Sequence, residues 1–508
     1  MNSFKSMSLK EKMIYLLTLV YLLPFFILIA ANMLFSMFQT TYMDLYLDTE
    51  KPLYKSDHPI LLIALVLFLI AGLTYCFKKK EITTEICSAF EKFSLIWAAL
   101  ISLFIIFLFR VRVACDSAYL SDIAIDFLNG DYSSLTGNGY LVHYPHQLGM
   151  IALLEVIYAV FGIENYTVLQ FLNVIAIVST IYYLHRISDE MFHKPQIQIL
   201  LSLLCIGLLP LYLYTTFIYG DIPSLGLIVP AVYYIVRYLN TQKKIYSIPA
   251  IVLMTLSMEL KSNSSIILVA AIIILILHMI CHKDKFVVLF LLLLIGTPYI
   301  TNTAVNACYA HAAKLDHIPS GIPKAAWIAM GLQSNDYIEN GWNNSYNWGI
   351  YTENNFDTSA TTDACIDSIK QSVREFASHP KTCLKFFYKK FISQWNDPGY
   401  QAQITIEWYS RHRDDQSDLA LYFIYGNGRL ILESIMNFYH FTILLGSSIF
   451  AFCSLRKHEL TNTLLSLCVF GGYFFHLFWE AGGRYGLCYF VLCLPMAAWG
   501  FWKLTSRQ

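Results

Sequence analysis

Residues 93–109 read FSLIWAALISLFIIFLF, and the carboxylate of Asp116 follows a few residues later. An uncharged apolar run of this length, together with its flanks up to residue 111, predicts a helix that spans a membrane. An acidic side chain directly beyond such a span is well placed to meet a lipid-linked substrate at the bilayer surface. Asp116 is therefore the first candidate functional residue.

The whole chain has the composition of a membrane protein. Of its 508 residues, 56% are hydrophobic and only 14% are charged, whereas a soluble domain has about 25% charged residues. The formal net charge is zero, which argues against a nucleic-acid partner. The twelve cysteines lie mostly in apolar segments, without the spacing of a metal site. Cys308, Cys365 and Cys383 lie in the largest polar segment, where disulfide pairing stays open.

Apolar runs long enough to cross a membrane recur along the chain. We predict an all-α polytopic membrane protein with about twelve transmembrane helices. The predicted spans are residues 13–37, 59–77, 93–111, 166–185, 196–217, 222–240, 246–260, 264–281, 286–302, 431–454, 460–478 and 485–503.

Lysine and arginine orient these spans, because cytoplasmic loops carry the excess of positive charge. Both termini are then inside and Asp116 is outside. The segment 146–163 is also apolar, but a crossing there would break this order, and Glu155 lies in its middle. We therefore predict that it lies in the interface or re-enters. The inside markers include Lys5, Lys10, Lys12, Lys78, Lys79, Lys80, Arg456, Lys457 and Arg507.

The topology divides the chain into three parts. Residues 1–302 form a transmembrane catalytic core with a first outer loop at 112–165. Residues 303–430 form an outward-facing, mixed soluble domain, since about 128 residues suffice for a compact domain. Residues 431–508 contribute the last three transmembrane helices.

Two polar clusters on the outer side precede the large polar segment. Residues 118–128 have the spacing of an amphipathic helix, whose solvated face would carry Asp122 and Asp126. Asp116 precedes this helix and is either a functional carboxylate or its N-terminal cap. The second cluster, Tyr219-Gly220-Asp221, is either an ordinary turn or a second acidic site that coordinates a divalent cation or orients an acceptor.

Two further clusters combine charge with membrane depth. Lys261 interrupts an apolar segment, and its ammonium suits a lipid phosphate; the alternative is a pair with Glu259. Arg484 and Tyr485 follow Glu480 between the last two spans, where they suit a phosphate or pyrophosphate; the alternative is a structural Glu480–Arg484 ion pair. His476 is predicted to be a packed core histidine.

Because the charge-based topology puts all four clusters on one side, they favour an enzyme that acts on a phosphate-linked lipid. A membrane transporter or a flippase for lipid-linked glycans also has many spans and few intramembrane charges. No repeat relates the two halves of the chain, which argues against that class. A polysaccharide polymerase is a third possibility, but it relies on outer arginines where this chain has acidic residues.

Several motifs resemble the GT-C glycosyltransferase superfamily, in the style of protein O-mannosyltransferases and aminoarabinose transferases of the Gram-positive bacterial type. The resemblance covers most of the membrane part. The motifs are Asp116, Asn129-Gly130-Asp131-Tyr132, Tyr140-Leu141-Val142-His143-Tyr144-Pro145-His146-Gln147-Leu148-Gly149, Tyr219-Gly220-Asp221, Lys261 and Glu480 with Arg484-Tyr485.

This resemblance implies a polyprenyl-phosphate sugar donor, an inverting hexosyl or pentosyl transfer on the extracytoplasmic face of the plasma membrane, and a cell-envelope glycan, lipid or protein acceptor. It implies that segment 146–163 is an interfacial jaw helix and that a divalent cation, Mg or Mn, can take part. Ser117 stands where the protein-mannosylating pattern has a second acidic residue, which argues against protein O-mannosylation.

The resemblance also implies roles for individual residues. Asp116 would be the general base, and Asp221 would assist through a metal or the acceptor. Substrate binding would fall to Tyr144, His146, Gln147, Lys261, Glu480, Arg484 and Tyr485, with Lys261 and Arg484 on the lipid phosphate.

Overall fold

The structure is a computed structural model, and it describes residues 9–44, 50–79, 82–334, 338–411, 413, 415–455 and 460–506. Within these residues the chain is almost entirely helical, as predicted for an all-α polytopic membrane protein. The inside markers Lys5, Lys80, Arg456, Lys457 and Arg507 lie outside the described residues.

Nine helices in the described ranges are long and apolar enough to cross a membrane, and the count rises to eleven if two bent pairs are included. This is close to the predicted twelve. The nine helices are Thr18–Phe38, Pro59–Lys78, Thr84–Phe109, Tyr166–Phe192, Asp221–Thr241, Ser264–His282, Phe286–Ala312, Asn427–Ser454 and Gly483–Thr505.

Three predicted spans are shorter or bent. The predicted span 196–217 is the pair Pro195–Ile206 and Leu209–Thr216, bent by 47°, because Gly207 ends the first helix and Pro210 lies in the first turn of the second. The span 246–260 is a helix of 14 residues, Ser247–Leu260, which is shorter than a full crossing needs. The span 460–478 is the helix Leu460–Phe478, and its apolar part is the shorter stretch Thr463–Phe478.

The segment predicted to lie in the interface is sharply bent from what precedes it. Pro145–Phe161 makes an angle of 99° with Ser133–His143. One face of the helix Leu148–Phe161 packs into the protein, while Val156 and Val160 on the other are 62% and 67% exposed. Such a break suits a re-entrant or interfacial segment better than a straight crossing.

The segment 303–430, which was predicted to face outward, is helical rather than mixed in its described part. Its helices are Lys324–Gly331, Tyr346–Glu353, Thr358–Ser378, Pro380–Trp395, Ala402–Ser410 and Asp418–Ile424. Phe391, Trp395, Tyr400 and Tyr409 from this segment join the same hydrophobic core as the membrane helices. Its C-terminal half is therefore packed onto the membrane part, and its position is fixed by that packing.

A short antiparallel hairpin follows the first span. The strands Gln39–Asp44 and Lys51–Ser56 pair with Thr41 opposite Tyr54. Thr41 docks the hairpin on the helix Pro380–Trp395, because its hydroxyl donates a 2.9 Å hydrogen bond to the carbonyl of Ile392. The second strand of the hairpin carries Lys51, and Glu50 directly precedes it.

None of the twelve cysteines, all of which lie in the described part of the chain, forms a disulfide. Cys365 is buried, Cys383 is half-buried and Cys308 is exposed.

Candidate active site

A cavity of about 410 Å³ lies between the hairpin, the helix Asp116–Leu128, the helix Ala402–Ser410 and the turn before the last span. Three carboxylates and two cations line it: Glu50, Asp116 and Glu480 with Lys51 and Arg484. Five aromatic residues complete the lining, namely Phe217, Trp342, Trp408, Tyr409 and Tyr485. Charged groups and aromatic rings around one concave space are typical of a ligand site.

The backbone that carries Asp116 is fixed on both sides. The preceding span ends at Arg110 in the left-handed region, and Cys115 also has a positive φ, of 52°. The backbone N–H of Arg112 donates a 3.2 Å bond to the carbonyl of Tyr409. Cys115 is the N-terminal cap, so Asp116 is the first helical residue rather than the cap. The helix N-terminus favours its negative charge.

Asp116 makes no side-chain hydrogen bond or ion pair with any residue that the structure describes, and it is half-buried. The next residue behaves differently, since the hydroxyl of Ser117 is hydrogen-bonded to Tyr409 and buried. Asp122 and Asp126 lie on the exposed face of the same helix. The carboxylate that faces the cavity is therefore available to a ligand.

A second, smaller cavity of about 40 Å³ adjoins the first, and Arg484 and Tyr485 line both. The Lys261 ammonium donates a 2.9 Å hydrogen bond to Asp221 here. Lys261 Nζ also lies 4.6 Å from the centre of the Tyr219 ring, and Arg484 Cζ lies 5.3 Å from it. Two cations thus lie against one aromatic ring.

Close backbone packing creates this pair. A Cβ on Gly220 would lie 2.0 Å from the carbonyl oxygen of Leu260, so only glycine allows Asp221 to approach Lys261 this closely. Gly149 of the interfacial helix packs in the same way on the other side, where a Cβ would lie 2.2 Å from the Glu259 carbonyl. The end of the helix Ser247–Leu260 is clamped between the two glycines.

Burial governs the titration of these groups. Burial lowers the pKa of the Lys261 ammonium below its ordinary value, although the Asp221 carboxylate opposes the shift. Burial raises the pKa of Glu480 to about 7; Arg484 opposes this, while Glu50 and Asp116 add to it. A carboxyl group that titrates near neutrality in a cavity is a candidate functional group.

Asp397 and Gln401 brace the turn that carries Glu480 and Arg484. Asp397 accepts a 2.7 Å bond from the backbone N–H of Gln401, and the Gln401 side chain accepts a 2.9 Å bond from the backbone N–H of Arg484. Burial raises the pKa of Asp397 to about 6. This chain of bonds fixes the backbone at Arg484.

A buried lysine holds the other end of the same turn. Lys390 is 1% exposed, and its ammonium donates to the carbonyls of Gly331 at 2.5 Å and Trp479 at 2.6 Å. Burial lowers the pKa of Lys390 to about 7, and the Glu480 carboxylate opposes the shift. Lys390 does not line the cavity, but it bonds to the peptide that leads into Glu480.

The structure brings together most of the residues that the sequence singled out. Asp116, Glu480, Arg484 and Tyr485 line the larger cavity, and Asp221 and Lys261 line the smaller one. Lys261 pairs with Asp221 and not with Glu259, which bonds to Asn302 instead. Glu480 accepts a 3.5 Å bond from Tyr485, and no ion pair with Arg484 forms among the described side chains.

Three predicted substrate residues do not line either cavity. Gln147 is buried and donates to the Tyr219 hydroxyl, so it supports the ring beneath the two cations. Tyr144 and His146 line neither cavity; Tyr144 packs against Trp327 with ring centres 6.3 Å apart, and His146 is exposed. His476 is buried and stacks on Tyr485.

Four residues in or beside the site were not predicted from the sequence: Glu50, Gln401, Trp342 and Lys390. The alternation QTTYMD and KPLYKS signals the hairpin that carries Glu50 to the cavity. Gln401 and Lys390 carry no local signal, because their role comes from contacts with the distant residues Arg484 and Trp479.

The residues present do not fit a metal ion on Asp221. Its carboxylate is already engaged by the Lys261 ammonium at 2.9 Å, and a second cation there would be repelled. Within the described part of the chain, no group of three or more His, Cys, Asp or Glu side chains has a metal-binding arrangement.

An apolar groove of about 420 Å³ runs between the helices Ser264–His282 and Thr463–Phe478. It is lined almost only by hydrocarbon and aromatic side chains, including Ile266, Phe470, Phe474 and Trp479. The groove ends beside the turn that carries Glu480 and Arg484, because Trp479 precedes Glu480 and Ile266 is two residues from Ser264 of the smaller cavity.

Comparison with known proteins gives the class to which this site belongs. Residues 146–301 match the family described as dolichyl-phosphate-mannose-protein mannosyltransferase. The matched region includes the interfacial helix, Asp221 and Lys261. This match supports a GT-C-type membrane glycosyltransferase that uses a lipid-linked sugar. A search of curated proteins finds no significant match.

Proposed function

We propose that the protein transfers a sugar from a polyprenyl-phosphate donor to a cell-envelope acceptor on the extracytoplasmic face of the plasma membrane, with inversion at the anomeric carbon. One observation carries the proposal. The unpaired Asp116 carboxylate and the Arg484 guanidinium share one cavity, and an apolar groove ends beside it. Transfer from a lipid-phosphate donor requires a base, cations that bind the phosphate, and an apolar groove that binds the hydrocarbon chain.

The phosphate of the donor binds between Arg484 and Lys261. Arg484 lines both cavities, and Lys261 is held toward it by Asp221 and by the Tyr219 ring. Cations in a buried setting stabilise the charge that develops on the departing phosphate. Asp221 acts here as the residue that positions Lys261. The polyprenyl chain lies in the apolar groove, where its burial is favourable.

The sugar occupies the larger cavity with its anomeric carbon between the phosphate and Asp116. The oxygen of an acceptor hydroxyl attacks that carbon from the Asp116 side and forms the new glycosidic bond. The bond from the anomeric carbon to the phosphate oxygen breaks, and the polyprenyl phosphate leaves with the electron pair. Asp116 takes the proton of the attacking hydroxyl as general base. A single displacement of this kind inverts the anomeric configuration.

Other residues in and beside the larger cavity constrain the sugar and the acceptor. Trp342, Trp408 and Tyr485 offer ring faces to a hexose or a pentose, and Glu480 offers a hydrogen bond. Ser117 is engaged by Tyr409 and supplies no second carboxylate, which favours a glycan or lipid acceptor over a protein hydroxyl. The step above needs no metal ion, and the proposed mechanism contains none.

The test is sugar transfer in membranes that contain the wild type, Asp116→Asn or the control Asp122→Asn, supplied with radiolabelled polyprenyl-phosphate sugars. Asp122 lies on the exposed face of the same helix. We expect wild type and Asp122→Asn to consume one donor, and Asp116→Asn to be slower by about 10²–10⁴-fold. Full activity of Asp116→Asn would show that Asp116 is not the general base. If the folded wild type consumed none of the donors, the proposed function would be wrong.

A further inference from the structure

A second polar depression lies on the outer segment, separate from the catalytic cavity. It has a volume of about 470 Å³ and lies between the helices Thr358–Ser378 and Pro380–Trp395 and the chain around residue 340. We call it the outer groove and define it by Gln333, Asn340, Gln371, Glu375, Lys385 and Lys389. Neither the base nor the phosphate cations of the proposed reaction lie in it.

The lining of the outer groove has the chemistry of sugar recognition. Amide, hydroxyl, ammonium and carboxylate groups supply both donors and acceptors, as the hydroxyls of a glycan require. The half-buried ring of Phe376, which packs on the buried Phe386 with ring centres 5.0 Å apart, adds an apolar surface for the C–H face of a sugar ring. The apolar groove of the membrane part has almost no polar lining, so the two depressions suit different ligands.

One strip of backbone separates the outer groove from the catalytic cavity. Asn340 lines the groove, whereas Trp342 and Asn343 line the cavity. Gly341 between them accepts a 2.8 Å bond from the N–H of Ala481, a cavity residue, and donates a 2.8 Å bond to the carbonyl of Gln333, a groove residue. An extended ligand that leaves the cavity over this strip enters the outer groove directly.

We infer that the outer groove binds the acceptor, that this acceptor is a glycan chain, and that the groove holds sugar units behind the one whose hydroxyl reacts at Asp116. The inference rests on the proposed function and goes beyond it, since it names the acceptor class and gives it a second contact site. Finding that the acceptor is a protein or a lipid would contradict this inference. A lipid would leave the amides of the groove unused.

The first experiment compares acceptor length. The acceptors are the polysaccharide of the host envelope and its fragments, fractionated into chains of one or two sugars and chains of eight or more. For wild type, the long chains should have the lower KM. Gln371→Ala and Lys389→Ala should each reduce this advantage of long over short chains by about tenfold, because each removes a polar contact to the distal sugars.

Matched controls exist on the same two helices. Lys370 and Lys381 are exposed neighbours that do not line the groove. Lys370→Ala and Lys381→Ala should keep the wild-type dependence on length. Equal KM values for short and long chains in wild type, or the same loss in the control variants, would overturn the inference while donor consumption still upholds the proposed function.

The second experiment locates the chain directly. Long fragments that carry a diazirine at the end remote from the reacting sugar are irradiated with the purified full-length protein, and the labelled peptides are identified by mass spectrometry. Labels within residues 333–389 that unlabelled long chains displace support the groove. Labels elsewhere, or no displaceable label, overturn it. This readout needs no turnover, so it separates a failure of the groove from a failure of the proposed reaction.

Discussion

Lys261 donates a 2.9 Å hydrogen bond to the carboxylate of Asp221, and the two side chains are only 16% and 14% exposed. The partners belong to different helices, and the contact exists because Gly220 lies directly against the Leu260 carbonyl. A buried ammonium without a partner would lose much of its charge by deprotonation. The pair therefore keeps a cation beside Arg484, where the donor phosphate is proposed to bind.

A double-mutant cycle on this pair gives the first prediction. Lys261→Met and Asp221→Asn should each lower the Tm of the purified protein, since breaking a buried pair leaves an uncompensated charge that costs about 3–5 kcal/mol. The double variant Asp221→Asn/Lys261→Met should lose less stability than the sum of the losses in the two single variants. The exposed pair of Lys370 with Asp367, whose side chains are 59% and 78% exposed, is the control. Additive losses at Asp221 and Lys261 would show that the two side chains do not act as a pair.

The second prediction concerns Glu480 and donor binding. Its pKa is raised to about 7 by burial, so the group is mostly neutral below pH 7 and mostly charged above it. A negative charge there repels the donor phosphate held by Arg484. The KM for the donor should therefore rise by about tenfold between pH 6 and 8.

Glu480→Gln keeps the shape and stays neutral, so its donor KM should change little over the same pH range. Initial rates at several donor concentrations, measured at half-unit pH steps, separate KM from kcat. A parallel rise of KM in Glu480→Gln would assign the titration to another group.

The third prediction concerns the glycine clamp. Gly149→Ala and Gly220→Ala would put a Cβ at 2.2 Å and 2.0 Å from backbone carbonyl oxygens, which cannot be relieved by turning a side chain. Overpacking of this kind costs about 1–3 kcal/mol or more, so both variants should have a lower Tm and a higher donor KM. Gly72→Ala is the control, because nothing lies within 4 Å of its added Cβ. A wild-type donor KM in both variants would mean that the clamp does not position Lys261.

Hydropathy predicted the spans well because a membrane-spanning helix satisfies its backbone hydrogen bonds within its own segment. Each span can therefore be recognised from its local sequence. The partners of single charges were harder to predict. Lys261 has Glu259 as its neighbour in sequence, yet it pairs with Asp221 across a helix contact that depends on Gly220. Glu50 was missed for the same reason, since a hairpin docked on a distant helix carries it to the cavity.

Lys390 gives the last prediction, because it is the buried cation that positions Glu480 without touching the cavity. Lys390→Met leaves the carbonyls of Gly331 and Trp479 buried without a donor, and each such group costs about 1–3 kcal/mol. The variant should therefore have a lower Tm and a reduced kcat, whereas the exposed control Lys381→Met should match the wild type in both.

The pH dependence of this loss tests the role of Lys390 itself. Its pKa in the folded protein is about 7, against about 10.4 for a lysine in an unfolded chain. Between these values the unfolded state binds more protons, so the contribution of Lys390 to stability increases as the pH rises from 7 toward 10. A neutral amine still has N–H groups for both carbonyls. The difference in Tm between wild type and Lys390→Met should thus widen from pH 7 to pH 9.5, as followed by thermal unfolding in detergent. If the difference in Tm stayed constant with pH, Lys390 would have the ordinary pKa of a lysine. If the two proteins had the same Tm at every pH, Gln401 alone would hold the turn before Arg484.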